Sequence, residues 1–380
     1  MTDHDRVEAI LNGQAPDRIP WIPRLQVWYT AHNRRGTLPA RLRGLSLREA
    51  ERALGMGDPA RDGRVVRSEQ GGDVDIRRTE EGDTLLTTYR TPVGTVSTLH
   101  RHTTEQKDLG LGSLEIEHMI KSEADIPVVE YLMRNTRYEP TYEEFEQYAA
   151  QVGEEGFPLV SAGDCPFHLF LQKLCGYQQG YYLRADVPQA VDRLLGVMEE
   201  MDREFLWPLL AASPARLILH GVHFDSTLTP PNLFERYITP YYRDLSNLLH
   251  EHGKSLCMHA DNDSRLILSH IEAAGFDMAE TFTTAPQVSC TLEEARQAWG
   301  ERVIIWGGLP SVLLEPAYPP EAFEHHMRTL LRTIAPGGAF ILGVADNIMP
   351  GAMLERLERV AEMVTEWGTY PIDPGSIPEP

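Results

Sequence analysis

From residue 157 to the end of the chain, short apolar runs of strand length alternate with helical patterns, and this alternation constrains the fold most. The runs are Phe157–Ser161, Leu217–His220, Ser255–His259, Phe276–Thr281, Val303–Trp306 and Ala339–Val344. Strands that alternate with helices pair in parallel through right-handed crossovers. Over this length a closed barrel with an appendage fits better than an open sheet. The sequence therefore predicts a (β/α)8 TIM barrel that forms one domain over residues 1–380.

Residues 64–102 break this alternation. The stretch from Thr84 to Thr98 is rich in β-branched residues, and the turn signals Glu81-Gly82-Asp83 and Pro92-Val93-Gly94 punctuate it. Such a pattern is typical of antiparallel hairpins. We therefore predict an antiparallel β-hairpin or small sheet that is inserted into the barrel near its N-terminus.

Charge and cysteine usage exclude several classes of function. The chain has 35 Lys and Arg against 56 Asp and Glu, a net charge of −21, which repels nucleic acid and anionic membranes. The polar N-terminus does not resemble a signal peptide, and no apolar run reaches the roughly 18 residues that cross a bilayer. A cytoplasmic protein is expected. The four cysteines form no CxxC pair, which favours buried free thiols over a zinc finger or disulfides.

Polar residues follow the apolar runs, at the end of the strands where parallel β/α folds collect their ligands. They are Asp164, His223, Asp225, His259, Asp261, Asp263, Glu280 and Asp346. A single residue of this kind is more often structural, as a hydrogen-bonded histidine or as a helix cap, and Asp263 fits a cap. Their recurrence on successive strands predicts one site where they converge.

Several segments resemble, in their order and spacing, those of the uroporphyrinogen decarboxylase superfamily. They are RVEAILNGQAPDRIP at 6–20, DCPFHL at 164–169, Gly176, Asp186-Val-Pro, PxxFxxYxxP at 231–240, GKxxxxH at 253–259, GGLP at 307–310 and the segment 337–350. The resemblance covers most of the chain outside residues 64–102. It implies the barrel fold, and a homodimer is the expected assembly.

The superfamily has two main branches, and this chain departs from both. One branch decarboxylates a tetrapyrrole without a cofactor and carries Met-Arg-Gln-Ala-Gly-Arg near its start, of which only Arg24 is recognisable here. The other comprises zinc-dependent methyltransferases that act with corrinoid proteins; they carry His-x-Cys after one strand and a later Cys. Cobalamin-independent methionine synthase, a more distant relative, adds a Glu between them. The matching positions here are His259, Asp261, Glu280 and Asp346, with both cysteines replaced by aspartate.

The resemblance therefore implies a divalent metal held by His259, Asp261, Glu280 and Asp346. One histidine with three carboxylates suits zinc as a Lewis acid, or iron or manganese, better than thiophilic chemistry. On a regular strand Cys257 would share the orientation of His259 and is an alternative ligand. The first hypothesis is a metal-dependent methyltransferase or demethylase. It would move a methyl group from a small methylated substrate to a corrinoid that a partner protein supplies.

Two other functions stay open at this point. In a metal-free decarboxylase or lyase, His223, Asp225 and Asp346 would be acid–base groups and Arg24 would clamp a substrate carboxylate. A non-enzymatic barrel could instead hold a corrinoid, a tetrapyrrole or a small aromatic ligand. In the enzymatic hypotheses His223, Asp225 and Arg24 are the catalytic candidates.

Overall fold

The structure is a computed structural model and describes residues 1–335 and 337–380. The strands of this part of the chain are β1 (Val66–Gln70), β2 (Asp75–Glu81), β3 (Thr84–Thr91), β4 (Gly94–Arg101), β5 (Leu114–Glu117), β6 (Thr136–Pro140), β7 (Leu159–Ser161), β8 (Leu217–Val222), β9 (Ser255–His259), β10 (Met278–Phe282), β11 (Ile304–Leu309) and β12 (Phe340–Val344).

The α-helices of the same residues are α1 (Asp3–Leu11), α2 (Gln26–Arg35), α3 (Leu47–Ala53), α4 (Thr104–Leu109), α5 (Ile126–Arg134), α6 (Tyr142–Val152), α7 (Pro166–Leu169), α8 (Tyr177–Asp186), α9 (Pro188–Met201), α10 (Trp207–Ala212), α11 (Pro231–Leu233), α12 (Thr239–Glu251), α13 (Leu268–Ala273), α14 (Leu292–Trp299), α15 (Pro320–Ile334) and α16 (Leu354–Trp367). Among the described residues, none of the helices has the length and hydrophobicity of a membrane span.

The chain divides into two compact units. The first comprises residues 1–63, 145–163 and 215–380, and the second comprises residues 64–144 and 164–214. The prediction of one domain over residues 1–380 stays a prediction.

A six-stranded parallel sheet is the centre of the first unit, with the strand order β12-β11-β10-β9-β8-β7. Each neighbouring pair is parallel, as the alternation of strands and helices predicts. Isolated parallel bridges extend the sheet at both ends, from Trp21 to Leu342 and from Gly63 to Val160. The α/β class with a parallel sheet is therefore confirmed.

The core of the first unit follows from the alternation of side chains along these strands. Apolar residues at alternate positions of β8 to β12 join one buried cluster: Leu217, Leu219, Cys257, Met278, Ile304, Trp306 and Ile341. Val7 and Ile10 of α1 belong to the same cluster. The intervening strand residues are also buried, for example Leu256 and Met258. Burial on both faces is typical of a parallel sheet covered by helices.

The second unit contains two antiparallel sheets. One has four strands in the order β2-β3-β4-β5, and in the other β1 pairs with β6. The predicted hairpin region therefore does form antiparallel strands, but the pairing reaches beyond residue 102, to Glu117 in β5 and to Pro140 in β6. Val96, Thr87 and Thr98 are the buried residues of β3 and β4, and α5 packs against these two strands.

Candidate metal centre

Two of the predicted residues lie side by side because of the register between β9 and β10. His259 is the partner of Glu280, and two residues earlier Cys257 is the partner of Met278. Cys257 and Met278 belong to the buried cluster, so His259 and Glu280 point to the same interior side, at the carboxyl ends of their strands. His259 is 4% exposed and Glu280 is 1% exposed. Two ionisable groups thus replace apolar residues at the last interior position of these strands.

Glu280 fixes the orientation of the His259 ring. Its Oε2 lies 2.7 Å from His259 Nδ1, and the Thr281 hydroxyl oxygen lies 2.8 Å from the same nitrogen. Because a carboxylate only accepts hydrogen bonds, Nδ1 carries a proton and donates it. The other ring nitrogen, Nε2, is therefore the one available to a ligand.

His259 Nε2 faces two further carboxylates. It lies 3.5 Å from Asp261 Oδ2 and 3.6 Å from Asp346 Oδ1. Both distances exceed the 2.7–3.2 Å of an ordinary N–H···O bond. Two atoms that bind one tetrahedral zinc ion at about 2.1 Å lie about 3.4 Å apart, so the spacing suits atoms that share an ion.

His223 completes this group from the end of β8. Its Nδ1 lies 2.7 Å from both carboxylate oxygens of Asp261, and its ring meets the His259 ring edge to face with centroids 5.0 Å apart. His223, His259 and Asp261 each offer one ligand atom, and these atoms all lie within 4.8 Å of one another. These three residues could therefore hold a metal ion.

Two arginines balance the carboxylates. Arg24 Nη1 lies 2.5 Å from Asp346 Oδ1, and Arg61 Nη1 pairs with Glu280 Oε1. Arg24 was among the predicted residues and Arg61 was not. The polar segment Asp58-Pro59-Ala60-Arg61 carries no apolar run, so the sequence gives no signal that it ends beside β10.

The backbone around this group adopts a conformation that is unusual for residues with a side chain. His223, Thr281 and Asp346 have φ values of 59°, 53° and 55°, and Ala60, next to Arg61, has 45°. Over the described residues these are the non-glycine residues with positive φ. Such a conformation is sparsely populated and tends to be kept at functional sites, where surrounding contacts hold it.

The charges within the group shift its pKa values in opposite directions. Burial opposes the charge on His259, but Glu280, Asp261 and Asp346 outweigh it and raise the pKa of the imidazole to about 10. Burial would raise the pKa of Glu280, but Arg61 and His259 lower it to about 2. Burial likewise opposes charge on Asp261 and Asp346, but the contacts of Asp261 with His223 and His259, and those of Asp346 with His259 and Arg24, lower both pKa values. A metal must therefore displace a proton from His259.

Asp225 lies outside this group. Its Oδ1 accepts hydrogen bonds from the backbone N–H of Thr227 at 2.8 Å and of Leu228 at 3.0 Å. It therefore shapes the loop that follows β8. Asp263 likewise accepts a hydrogen bond from the backbone N–H of Arg265, but the N-cap of the short helix Arg265–Ile267 is Ser264, so the prediction of Asp263 as the cap residue is wrong.

Cys257 is fully buried in the apolar cluster, and burial raises the pKa of its thiol well above the usual value. Because a metal binds the thiolate, this environment disfavours Cys257 as a ligand. All four cysteines are buried, as the sequence predicts, and Cys175, Cys257 and Cys290 are free thiols.

Comparison with known proteins shows the family. The family model described as "Uroporphyrinogen decarboxylase (URO-D)" matches residues 112–367, more than half of the chain. This match confirms the resemblance drawn from the sequence. No curated protein matches the chain.

Solved structures add a similarity of fold. A methyltransferase from Methanosarcina mazei matches with a TM-score of 0.53 and 15% identity, covering 96% of this chain and 99% of its own. Dispersin B matches with a TM-score of 0.23 and 11% identity, covering 60% of this chain and 76% of its own. A dipeptide epimerase from Methylococcus capsulatus matches with a TM-score of 0.25 and 14% identity, covering 80% and 81%. The last two scores are too low to support an inference.

Proposed function

Because this chain belongs to the uroporphyrinogen decarboxylase family, we propose that it is a metal-dependent methyltransferase built on that fold. It would transfer a methyl group from a small methylated substrate to a corrinoid held by a partner protein. The observation that carries this proposal is the position of His259 Nε2, which faces Asp261 and Asp346 while Glu280 holds the opposite nitrogen. The fold shared with a methyltransferase is consistent with it.

The contacts suggest how the predicted ligands divide their roles. We assign Asp346, which faces His259 Nε2, as the third ligand beside His259 and Asp261, and we leave His223 of the group His223, His259 and Asp261 for proton transfer. Zinc is the expected ion, with iron or manganese as alternatives. Both oxygens of Glu280 are occupied, one by Arg61 and one by His259 Nδ1. We therefore assign Glu280 as the carboxylate that orients the histidine ligand, an arrangement common to metal-binding histidines.

The chemistry follows from this division. A bound divalent ion would supply Lewis acidity to the oxygen or nitrogen that carries the methyl group. When the methyl group leaves without its bonding electron pair, that atom gains negative charge and takes up a proton. His223 is suited to donate this proton, because Asp261 holds its Nδ1 and the His223 side chain is 40% exposed. Arg24 would keep Asp346 in place through their ion pair.

Metal analysis tests this function most directly. Protein purified without chelators should contain about one equivalent of zinc, iron or manganese per chain. The metal-loaded protein should methylate reduced free cobalamin from some member of a panel of methyl ethers and methylamines. A wild-type protein that is free of metal and still active would overturn the proposal.

A metal-free decarboxylase or lyase is the second candidate, and the two arginines favour it. Arg24 is 26% exposed on its side chain and Arg61 is 20% exposed, and a guanidinium suits bidentate binding of a substrate carboxylate. Asp346 and His223 would then serve as acid–base groups. Release of CO2 from a carboxylated substrate at an unchanged rate in the presence of a chelator would select this function.

We also propose that the parallel sheet closes into an eight-stranded barrel that forms one domain with the inserted sheets. Three contacts support closure: the bridge from Trp21 to Leu342, the bridge from Gly63 to Val160, and the hydrogen bond from Gly57 N to Trp21 O at 2.8 Å. The homodimer and the cytoplasmic location remain proposals that rest on the family resemblance and on the polar, acidic sequence.

A further inference from the structure

Arg61 reaches the metal centre from a short segment that is fixed on both sides. Asp58 Oδ1 accepts a hydrogen bond from Ala60 N at 2.8 Å, and Ala60 O accepts one from Leu159 N at 2.8 Å. Two residues after Arg61, Gly63 bridges to Val160. A Cβ atom at Gly63 would lie 2.8 Å from the Leu159 carbonyl oxygen, so the segment lies close against β7.

The guanidinium of Arg61 contacts one oxygen of Glu280, and the other oxygen of Glu280 accepts the hydrogen bond of His259 Nδ1. The three side chains therefore form a chain, Arg61–Glu280–His259, whose last atom is the free Nε2. Glu280 is 1% exposed, so water does not solvate its charge.

We propose that Arg61 is a positioning residue for the metal centre: by neutralising Glu280, it keeps that carboxylate as the hydrogen-bond acceptor that directs His259 Nε2 to the metal. This inference rests on the proposed metal-dependent function. It extends that function to Arg61, whose ion-pair partner is Glu280.

The physical reason is the cost of an isolated buried charge. A carboxylate without a partner in such surroundings loses its hydration without compensation, and removing one partner of a buried pair is strongly destabilising. Without Arg61, Glu280 would lose the contact that holds its Oε1 and would be free to turn away from His259. It would then no longer be a fixed acceptor for His259 Nδ1. Loss of a partner that orients a ligand typically lowers metal affinity 10–100-fold.

A second half-buried arginine of the same unit provides a matched control. Arg48 contacts Glu51 at 2.9 Å and Glu155 at 2.6 Å, with Asp58 at 3.8 Å, and we call these four residues the Arg48 cluster. The side chain of Arg48 is 23% exposed, close to the 20% of Arg61. Substitution of Arg48 therefore breaks a comparable ion pair that includes no proposed ligand.

The test measures Co²⁺ and Zn²⁺ affinity by titration of the full-length, metal-stripped protein, together with the visible spectrum of the Co²⁺ form. Arg61→Met should weaken affinity 10–100-fold and change the Co²⁺ absorption, and Arg61→Lys, which keeps the charge, should recover part of the loss. Arg48→Met should leave both unchanged. In a Glu280→Gln background, Arg61→Met should have little further effect, because its partner is already gone.

The outcomes separate this inference from the function on which it rests. If the wild type binds neither ion, the metal-dependent function fails. If the wild type binds both ions and Arg61→Met binds them as tightly as the wild type, the proposed role of Arg61 is wrong. The same holds if Arg61→Met lowers the affinity as much in the Glu280→Gln background as it does in the wild type. If Arg61→Met does not fold, Arg61→Lys and Arg61→Gln are measured in its place. The proposal would be contradicted if both of these variants fold and have the metal affinity and the Co²⁺ spectrum of the wild type.

Discussion

The candidate metal centre and the Arg48 cluster both gather carboxylates around basic side chains of the first unit, yet their contacts differ. In the Arg48 cluster one cation lies among three carboxylates, and its N–H groups donate to Glu51 and Glu155. In the candidate metal centre, His259 donates through Nδ1 while Nε2 faces two carboxylates beyond the usual hydrogen-bond distance. Buried charge alone therefore does not identify a site. The distinguishing feature of the candidate metal centre is a potential ligand atom, His259 Nε2, that is held in position and has no hydrogen bond of ordinary length.

The largest difference should come from the two histidines of the centre. His259→Ala removes a proposed ligand, so bound metal and methyl transfer should both be lost, by more than 100-fold in activity. His223→Ala should lower activity by a similar factor, because it removes the proton donor, while most of the metal stays bound. Metal content and cobalamin methylation measure the two effects. The control is His250→Ala, because His250 pairs with Asp277 away from the centre. If His223→Ala loses as much metal as His259→Ala, His223 is a ligand instead of a proton donor.

The next effect is on stability, where the two clusters can be compared directly. Glu280→Ala leaves Arg61 without its carboxylate in a buried site, and we expect a loss of about 3–5 kcal/mol in the free energy of unfolding. Glu51→Ala should cost clearly less, since Arg48 keeps Glu155. Urea denaturation of the metal-free proteins gives both values. Equal losses would show that the two arginines depend on their partners to the same degree.

The Arg48 cluster should also make stability depend on pH. Burial raises the pKa of Glu51 from its usual value of 4.5 to about 7, despite the opposing effect of Arg48. The folded protein then binds this proton more tightly than the unfolded chain, so the free energy of unfolding falls as pH rises from about 4.5 to 7, on the order of 3 kcal/mol. Glu51→Gln should flatten this slope, and Glu80→Gln in the exposed strand β2 should not. Parallel slopes for wild type and Glu51→Gln would refute this assignment.

The smallest effect is expected at Asp225. Asp225→Ala removes the acceptor of two backbone N–H groups in the loop after β8 and should cost about 1 kcal/mol in unfolding free energy. Bound metal should stay at the wild-type level, and Asp225→Asn should recover most of the stability. Thermal unfolding and metal analysis on the same samples check this. Loss of metal in Asp225→Ala would return the residue to the site.

The sequence predicts those parts of this protein that depend on local pattern. Apolar runs followed by polar residues place His259, Glu280 and Asp346 correctly at strand ends, because strand period and burial determine where such side chains point. These patterns do not distinguish a carboxylate that shapes a loop from one that belongs to the site. Asp225 and Asp261 both follow strands, and the two differ only in the position of the neighbouring backbone N–H groups. Arg61 was missed because its role depends on a partner more than 200 residues away. The pairing of β1 with β6 also joins segments far apart in the chain, and no local pattern indicates it.

The left-handed backbone at His223, Thr281 and Asp346 also limits how this protein can be improved. Each such residue costs of order 1–3 kcal/mol relative to a relaxed conformation. Glycine adopts positive φ without a steric penalty, so selection for heat tolerance alone would favour glycine at these three positions. The resulting variants would gain thermal resistance and lose the side chains that assemble the centre. Thermostability and turnover therefore need to be selected together in any laboratory evolution of this chain.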